Sequence, residues 1–192
     1  MFALPVLAQD VGNRSEVSVD FTGNFQSQAT GLGTTDTPTD AGGFLANYRY
    51  HVNNWAGFEF NYAFTRFSQN YGPVTSTTIA STTQADANEL SLAFVSTLGV
   101  RPSARIRPFV EAGTGALIFS PIAKGSTVSG FSDDRGAFMF GAGADFRVAR
   151  QVSLRLGYRG LIYKTPDFAV PTQITNTVTN MSEPYVGLVI HF

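Results

Sequence analysis

Residues 57–65, Gly57-Phe58-Glu59-Phe60-Asn61-Tyr62-Ala63-Phe64-Thr65, place an aromatic ring at every second position. A repeat of two is that of a β-strand, whose successive side chains point to opposite faces. One face of this strand is therefore wholly aromatic, while the other carries Gly57, Glu59, Asn61 and Thr65. The pattern recurs along the chain. Residues 16–26 set Val17, Val19, Phe21, Gly23 and Phe25 against Glu16, Ser18, Asp20, Thr22, Asn24 and Gln26, and residues 42–50 set Phe44, Ala46, Tyr48 and Tyr50 against Asn47 and Arg49. Further segments alternate around Leu90, Leu92, Phe94 and Leu98; Val110, Ala112, Ala116 and Ile118; Phe138, Phe140, Phe146 and Val148; Val152, Leu154, Leu156 and Tyr158; and Val186, Leu188, Ile190 and Phe192. That makes eight strands.

The connections alternate too. Residues 27–41, 68–86, 120–134 and 164–180 read as four long loops rich in Thr, Ser, Gly and Asp, whereas the links at 51–54, 100–105 and 149–151 are tight. One end of the sheet thus carries turns and the other loops. Eight antiparallel strands with an apolar face, connected in this way, predict an all-β, up-and-down transmembrane β-barrel, whose closure leaves no unpaired strand edge in lipid.

A soluble barrel with its apolar face inside is the competing arrangement. Against it, the polar face holds Gly57, Gly113, Gly115, Gly141, Gly143, Gly157 and Gly187, small residues that suit a crowded lumen. Only 14% of the 192 residues are charged, below the roughly 25% of soluble domains, and only two are Lys, where a water-facing surface would be rich in Lys and Glu. No run approaches the ~18 apolar residues of a membrane-spanning helix. A net charge of −1 and scattered basic residues argue against nucleic acid, and the absence of Cys excludes disulfides and thiolate chemistry. Residues 1–8 read as the end of a signal peptide's apolar region, leaving 9–192 as a single barrel domain exported to the outer membrane.

Three stretches carry a resemblance to the outer membrane protein A transmembrane domain and its small Gram-negative relatives. Gly43-Phe44-Leu45-Ala46-Asn47-Tyr48-Arg49-Tyr50 followed by Trp55-Ala56-Gly57-Phe58-Glu59-Phe60-Asn61-Tyr62 looks like that family's second hairpin. Gly143-Ala144-Asp145-Phe146 with Ser153-Leu154-Arg155-Leu156-Gly157-Tyr158 looks like its sixth and seventh strands. The terminal Tyr185 to Phe192 resembles the C-terminal signal read by the barrel insertion machinery, with Tyr185, Leu188, Ile190 and Phe192 as its elements. By resemblance, Glu59, Asp145 and Arg155 match a central ion-pair cluster implicated in a gate; Thr97 falls where the family has a Lys, which weakens any inference of the same switching. The family's peptidoglycan-binding domain has no counterpart in this sequence.

Inward charges enclosed by a narrow barrel must be paired or hydrated. Glu59, Glu111, Asp145, Arg147, Arg155 and Arg159 are the expected lumen network, with Asp20, Arg49, Glu89 and Glu183 on the same face. His51 and His191 fall at the turn end, and no pairing of His with Ser is apparent, so no serine-hydrolase site is expected. Asp133 with Asp134 and Asp36 with Asp40 read as solvated loop carboxylates without the oxygen spacing of a calcium loop. The expected protein is a monomer without cofactor, metal or enzymatic activity, embedded in outer-membrane lipid. Its role would be membrane structure and adhesion or interaction with host or environmental ligands through its loops, the alternative being a narrow or gated pore.

Overall fold

The structure, a computed structural model, describes residues 14–76, 78–98, 104–127 and 131–192. The signal-peptide segment 1–8 and most of the tight link at 100–105 lie outside the described residues. The strands are β1 (Ser15–Gln26), β2 (Ala29–Gly31), β3 (Thr34–Pro38), β4 (Ala41–His51), β5 (Ala56–Pro73), β6 (Ser81–Thr97), β7 (Ile106–Ile122), β8 (Asp133–Arg147), β9 (Val152–Lys164) and β10 (Val178–His191), with one 3-10 turn at Pro171–Gln173.

Strand β1 and strands β4 to β10 each pair antiparallel with the next, and β10 returns to β1, closing an eight-stranded barrel. Following register partners from Val189 through Ser18, Asn47, Asn61, Ser91, Gly115, Ala137 and Tyr163 leads back to β10 at Thr179, ten residues along. With a rise of about 3.3 Å per residue and a strand spacing of about 4.8 Å, that shear tilts the strands by about 41°, within the range of closed barrels.

The apolar face points outward. Phe21 is 77% exposed, and Val19, Phe60, Leu92, Leu156 and Leu188 are each at least 50% exposed. Glu59, Arg155 and Arg159 are buried in the lumen. A band of rings this extensive far exceeds the apolar patch a soluble monomer tolerates. Over this stretch lipid is the solvent, and a soluble barrel is ruled out.

Higher up, the alternation keeps its period but exchanges its faces. Arg66, Ser68 and Asn70 of β5, Thr82, Gln84 and Asp86 of β6, Asp134 of β8 and Lys164 of β9 take the outward positions. Phe67, Tyr71, Ala85, Ala87, Leu117, Phe119, Leu161 and Tyr163 are buried inside. Arg66 Nε meets Asp86 Oδ1 at 2.6 Å across the β5–β6 ladder, an exposed pair just beyond the apolar band. The expected long loops are correspondingly shorter. Residues 68–86 reduce to a link at 74–80, and the 27–41 loop folds into the β2–β3 hairpin, with β3 paired to the end of β5. The reading that sought outward apolar residues stopped where the strands left the lipid.

Candidate functional site

The ladder register assembles the lower lumen. Arg49 lies opposite Glu59 across β4–β5, Asp145 opposite Arg155 across β8–β9, and Glu16 opposite Arg49 across β1–β4. Arg49 Nε donates to Glu59 Oε2 at 2.6 Å. Arg155 grips Asp145 through two bonds, Nε to Oδ1 at 2.7 Å and Nη2 to Oδ2 at 3.0 Å, and reaches Glu16 at 3.2 Å and Glu59 at 3.4 Å. Both guanidiniums lie over the Phe109 ring, at 4.2 Å and 5.1 Å from its centroid. Arg107 adds a bond to Glu16 Oε1 at 2.8 Å. Three carboxylates thus meet three guanidiniums in a site too dry for unpaired charge. Such a cluster is costly to desolvate and far costlier to break.

At the foot of this cluster stands an arrangement absent from the sequence reading. Ser153 Oγ lies 2.8 Å from His191 Nε2, and His191 Nδ1 lies 3.1 Å from Glu16 Oε1, so a serine, an imidazole and a carboxylate form a chain. The expectation of no His–Ser pairing is therefore corrected: residues 38 apart in sequence meet because β9 and β10 are ladder neighbours. The chain lacks what a hydrolase needs. Ser153 is 1% exposed, and the same Glu16 oxygen is shared with His51 Nε2 at 2.8 Å and with Arg107, leaving little charge to stabilise an imidazolium. It ties β1, β4, β7, β9 and β10 together at the turn end.

The upper lumen holds a second cluster. Arg159 donates to Glu89 Oε2 at 2.9 Å and clasps Glu183, with Met139 Sδ 3.7 Å away. The six residues expected as one network occupy different levels. Glu59, Asp145 and Arg155 are joined below, Arg159 belongs to the cluster above, Glu111 sits against Glu59 between them, and Arg147 lies at the foot of β8 opposite Ser153. Glu16 and the two histidines, placed on the polar face and at the turn end, were not expected in the cluster, and Arg107 was missed. Glu16 could have been found, since it shares its face with Ser18 and Asp20.

Above both clusters the loop end of the lumen is filled by apolar packing. Phe67, Phe119, Tyr163 and Phe168 interlock, with ring centroids 5.8–6.5 Å apart. Phe168 comes from the strap between β9 and β10, which folds into the barrel rather than standing free. Three anchors hold it: Tyr71 donates to the Pro166 carbonyl at 2.8 Å, the Asp167 amide donates to Asp133 Oδ2 at 2.9 Å, and Gln173 Nε2 donates to Thr83 Oγ1 at 2.9 Å. Phe168 and Ala169 adopt φ of +52° and +57°, a region that costs a bulky residue about 1–2 kcal/mol and persists only under such constraint.

Two loop carboxylates expected to be solvated are not. Asp133 pairs with Arg135 and pins the strap, and Asp36 is 1% exposed on the inner face of β3. The Gln69 amide nitrogen donates to Asp36 Oδ1 at 2.8 Å, and its oxygen faces the Gln26 amide. Burial pushes the Asp36 carboxyl well above its ordinary range, consistent with a neutral acid.

On the C-terminal strand, Leu188, Ile190 and Phe192 point outward, each at least 55% exposed, whereas Tyr185 lies on the opposite face, in the lumen against Gly157. Trp55, Tyr50 and Phe192 are exposed at the turn end, where aromatic rings favour the membrane boundary. The outer membrane protein β-barrel domain model matches residues 1–192. The chain belongs to this family. It is a bacterial outer-membrane protein, embedded in membrane lipid. Among solved structures, it resembles neisserial surface protein A (15% identity, TM-score 0.65, covering 94% of this chain and 99% of that one) and OprG from Pseudomonas aeruginosa (10%, 0.66, 94% and 97%). It also resembles Ail, the attachment invasion locus protein of Yersinia pestis, in complex with the heparin analogue sucrose octasulfate (17%, 0.51, 94% and 99%). No curated protein matches the sequence significantly.

Proposed function

We propose that this barrel is a closed, non-enzymatic and monomeric membrane anchor whose extracellular strand extensions form a binding or adhesive surface. The observation that carries the reading is the lumen's contents: two buried ion clusters beneath an aromatic plug strapped in by its own loop. One part of the outward surface above the lipid offers neutral chemistry. A groove of about 380 Å³ between β3 and the β5–β6 link is lined by Gln28, Thr35, Thr37, Asn70 and Thr78. Elsewhere on the strand extensions, Arg66 is paired with Asp86, and Arg135 with Asp133 and Asp167. A neutral hydrogen-bonding partner such as an uncharged glycan suits this surface better than the sulfated ligand bound by Ail. Leu188, Ile190 and Phe192 are proposed as the strand presented to the barrel insertion machinery, and residues 1–8 as the remnant of an export signal.

Cells displaying the barrel should adhere to surfaces coated with neutral polysaccharide in a salt-insensitive manner. Replacing residues 29–38 by a short turn should abolish adhesion while leaving outer-membrane levels unchanged. Steady porin-scale conductance in planar bilayers, with no adhesion, would overturn the reading. A gated pore is the second reading, favoured by one observation: Arg49 and Arg155 each lie within 4 Å of Glu16, Glu59 and Asp145, so the pairs could exchange.

A further inference from the structure

The groove between β3 and the β5–β6 link opens sideways from the barrel wall, along the plane of the membrane. Its floor is two cross-strand pairs, Thr35 with Gly72 and Thr37 with Asn70, which stand on the outward face of the sheet while Asp36 between them points inward. Val74 and Ile79, 50% and 59% exposed, supply an apolar wall. The link lies so close over the floor that a Cβ at Gly72 would collide with the Thr78 carbonyl. Asn70 Oδ1 accepts from Thr82 Oγ1 at 2.9 Å, and among the described residues no protein group takes the Asn70 N–H donors, the Thr37 hydroxyl or the Gln28 side-chain amide.

Register gives the height. Arg66 and Asp86 mark the edge of the lipid, and on the same outward face of β5 the floor residues Asn70 and Gly72 lie four and six positions further along. At a rise of about 3.3 Å per residue and a tilt of about 41°, the floor stands about 10–15 Å above that edge. In a bacterial outer membrane the layer at this height is sugar, because the outer leaflet is built of glycolipid whose acidic groups sit next to the lipid and whose hexoses lie farther out. The groove suits the hexoses rather than the acidic groups. None of its lining residues is charged, and a hexose presents hydroxyl edges to donors such as Asn70 and C–H faces to Val74 and Ile79.

We propose that the occupant of this groove is the neutral hexose portion of the glycolipid surrounding the barrel, rather than a glycan arriving from outside. This rests on the reading of the groove as a site for uncharged sugar; what it adds is the source. A volume of about 380 Å³ is near the low end of small-ligand sites, about 300–1,000 Å³, and an open groove of polar side chains binds weakly. Weak binding suffices when the ligand is tethered beside the site, because tethering raises its effective concentration to about the millimolar range. A polymer reaching in from solution has no such advantage, and it first meets the hairpin tip at Leu32, which is 73% exposed. The glycolipid thereby holds the β2–β3 hairpin and the β5–β6 link in one arrangement.

The test is amide hydrogen exchange of the refolded full barrel in three kinds of vesicle at equal magnesium: phosphatidylcholine alone, phosphatidylcholine with lipopolysaccharide truncated before its hexoses, and phosphatidylcholine with lipopolysaccharide that carries them. Exchange in residues 28–37 and 70–80 should slow about threefold or more in the last alone, as for a site at least two-thirds filled. Thr37→Trp, which fills the groove, should abolish the slowing, and Asn70→Ala, which removes donors without adding bulk, should weaken it. Equal slowing with truncated and hexose-bearing lipopolysaccharide would assign the contact to lipid or phosphate and overturn the proposal, as would slowing that survives Thr37→Trp. Slowing by dextran added to the plain vesicles, with none from the hexose-bearing lipopolysaccharide, would overturn the source and leave an external uncharged glycan as the ligand. No slowing by either sugar would overturn source and chemistry alike.

Discussion

From Glu16 up to Glu89 the charges of the barrel interior gather into carboxylate–guanidinium clusters; from Leu117 up to Phe168 aromatic and aliphatic side chains dominate, with Gln69, Thr83, Gln173 and Asp36 buried among them. The strands are the same strands, with the same register and the same alternation. What changes is the surroundings. In the lower part lipid claims every outward position, so polar residues can only point inward and must find partners there. In the upper part water claims the outward positions, and the rings go inside as in a soluble protein. One barrel is thus built on two opposite solvation rules, and the level of Arg66 and Asp86 marks where they meet.

The largest expected effect tests the lower half. Arg155→Ala strands Asp145, Glu59 and Glu16 around fewer cations, and should cost about 3–5 kcal/mol in urea unfolding from lipid vesicles. The double variant Arg155→Ala/Asp145→Ala should lose clearly less than the two single losses combined. Additive losses would mean that the cluster is not a coupled unit.

Next, Phe60→Arg should cost about 2–4 kcal/mol, as expected for a charge at mid-bilayer, while Ser68→Arg on the same strand and the same outward face should cost close to nothing. Equal costs would erase the boundary between the halves. In the upper half, Phe168→Ala should cost no more than about 3 kcal/mol, because undocking of the strap, which releases the left-handed backbone at residues 168 and 169, limits the loss. The effect should appear as faster hydrogen exchange in residues 165–177, with the lower strands unchanged. Faster exchange throughout β9 and β10 would show that the strap and the barrel open together.

The smallest effect concerns Asp36. Its raised folded pKa means that the folded hairpin binds more protons than the unfolded one, so docking is strongest in acid and weakens as pH climbs from about 4, where the unfolded carboxyl ionises, towards the folded value. The loss should be on the order of 1 kcal/mol per pH unit over that window, read from exchange of the β2–β3 amides. Asp36→Asn should be flat with pH and better protected at pH 8. A parent hairpin whose protection rises with pH would reverse the assignment.

The lower half was legible in the sequence because lipid enforces a one-letter rule at each position. Phe58, Phe60 and Phe64 have no other reason to alternate with Glu59 and Asn61, and parity alone put Arg155 and Asp145 inside. Their grouping into two levels was not legible, since it depends on a shear that no single strand encodes. The upper half was misread for a definite reason. Thr82, Gln84 and Asp86 look like loop residues when polar positions are taken to face a lumen, and Phe67, Tyr71 and Ala85 look out of phase; both fit once the faces are exchanged. The strap was beyond reach, because nothing in Pro166-Asp167-Phe168-Ala169 announces that the ring points into the barrel.

The exchange of faces along β5 can be measured directly by placing single tryptophans at positions 58 to 71 in a Trp55→Phe background and quenching them with brominated lipid or aqueous acrylamide. Tryptophans at 58, 60, 62 and 64 should be quenched by the lipid, those at 66, 68 and 70 by acrylamide, and those at 67 and 71 by neither. Lipid quenching that continues past position 66, or that appears at 67, would contradict the account.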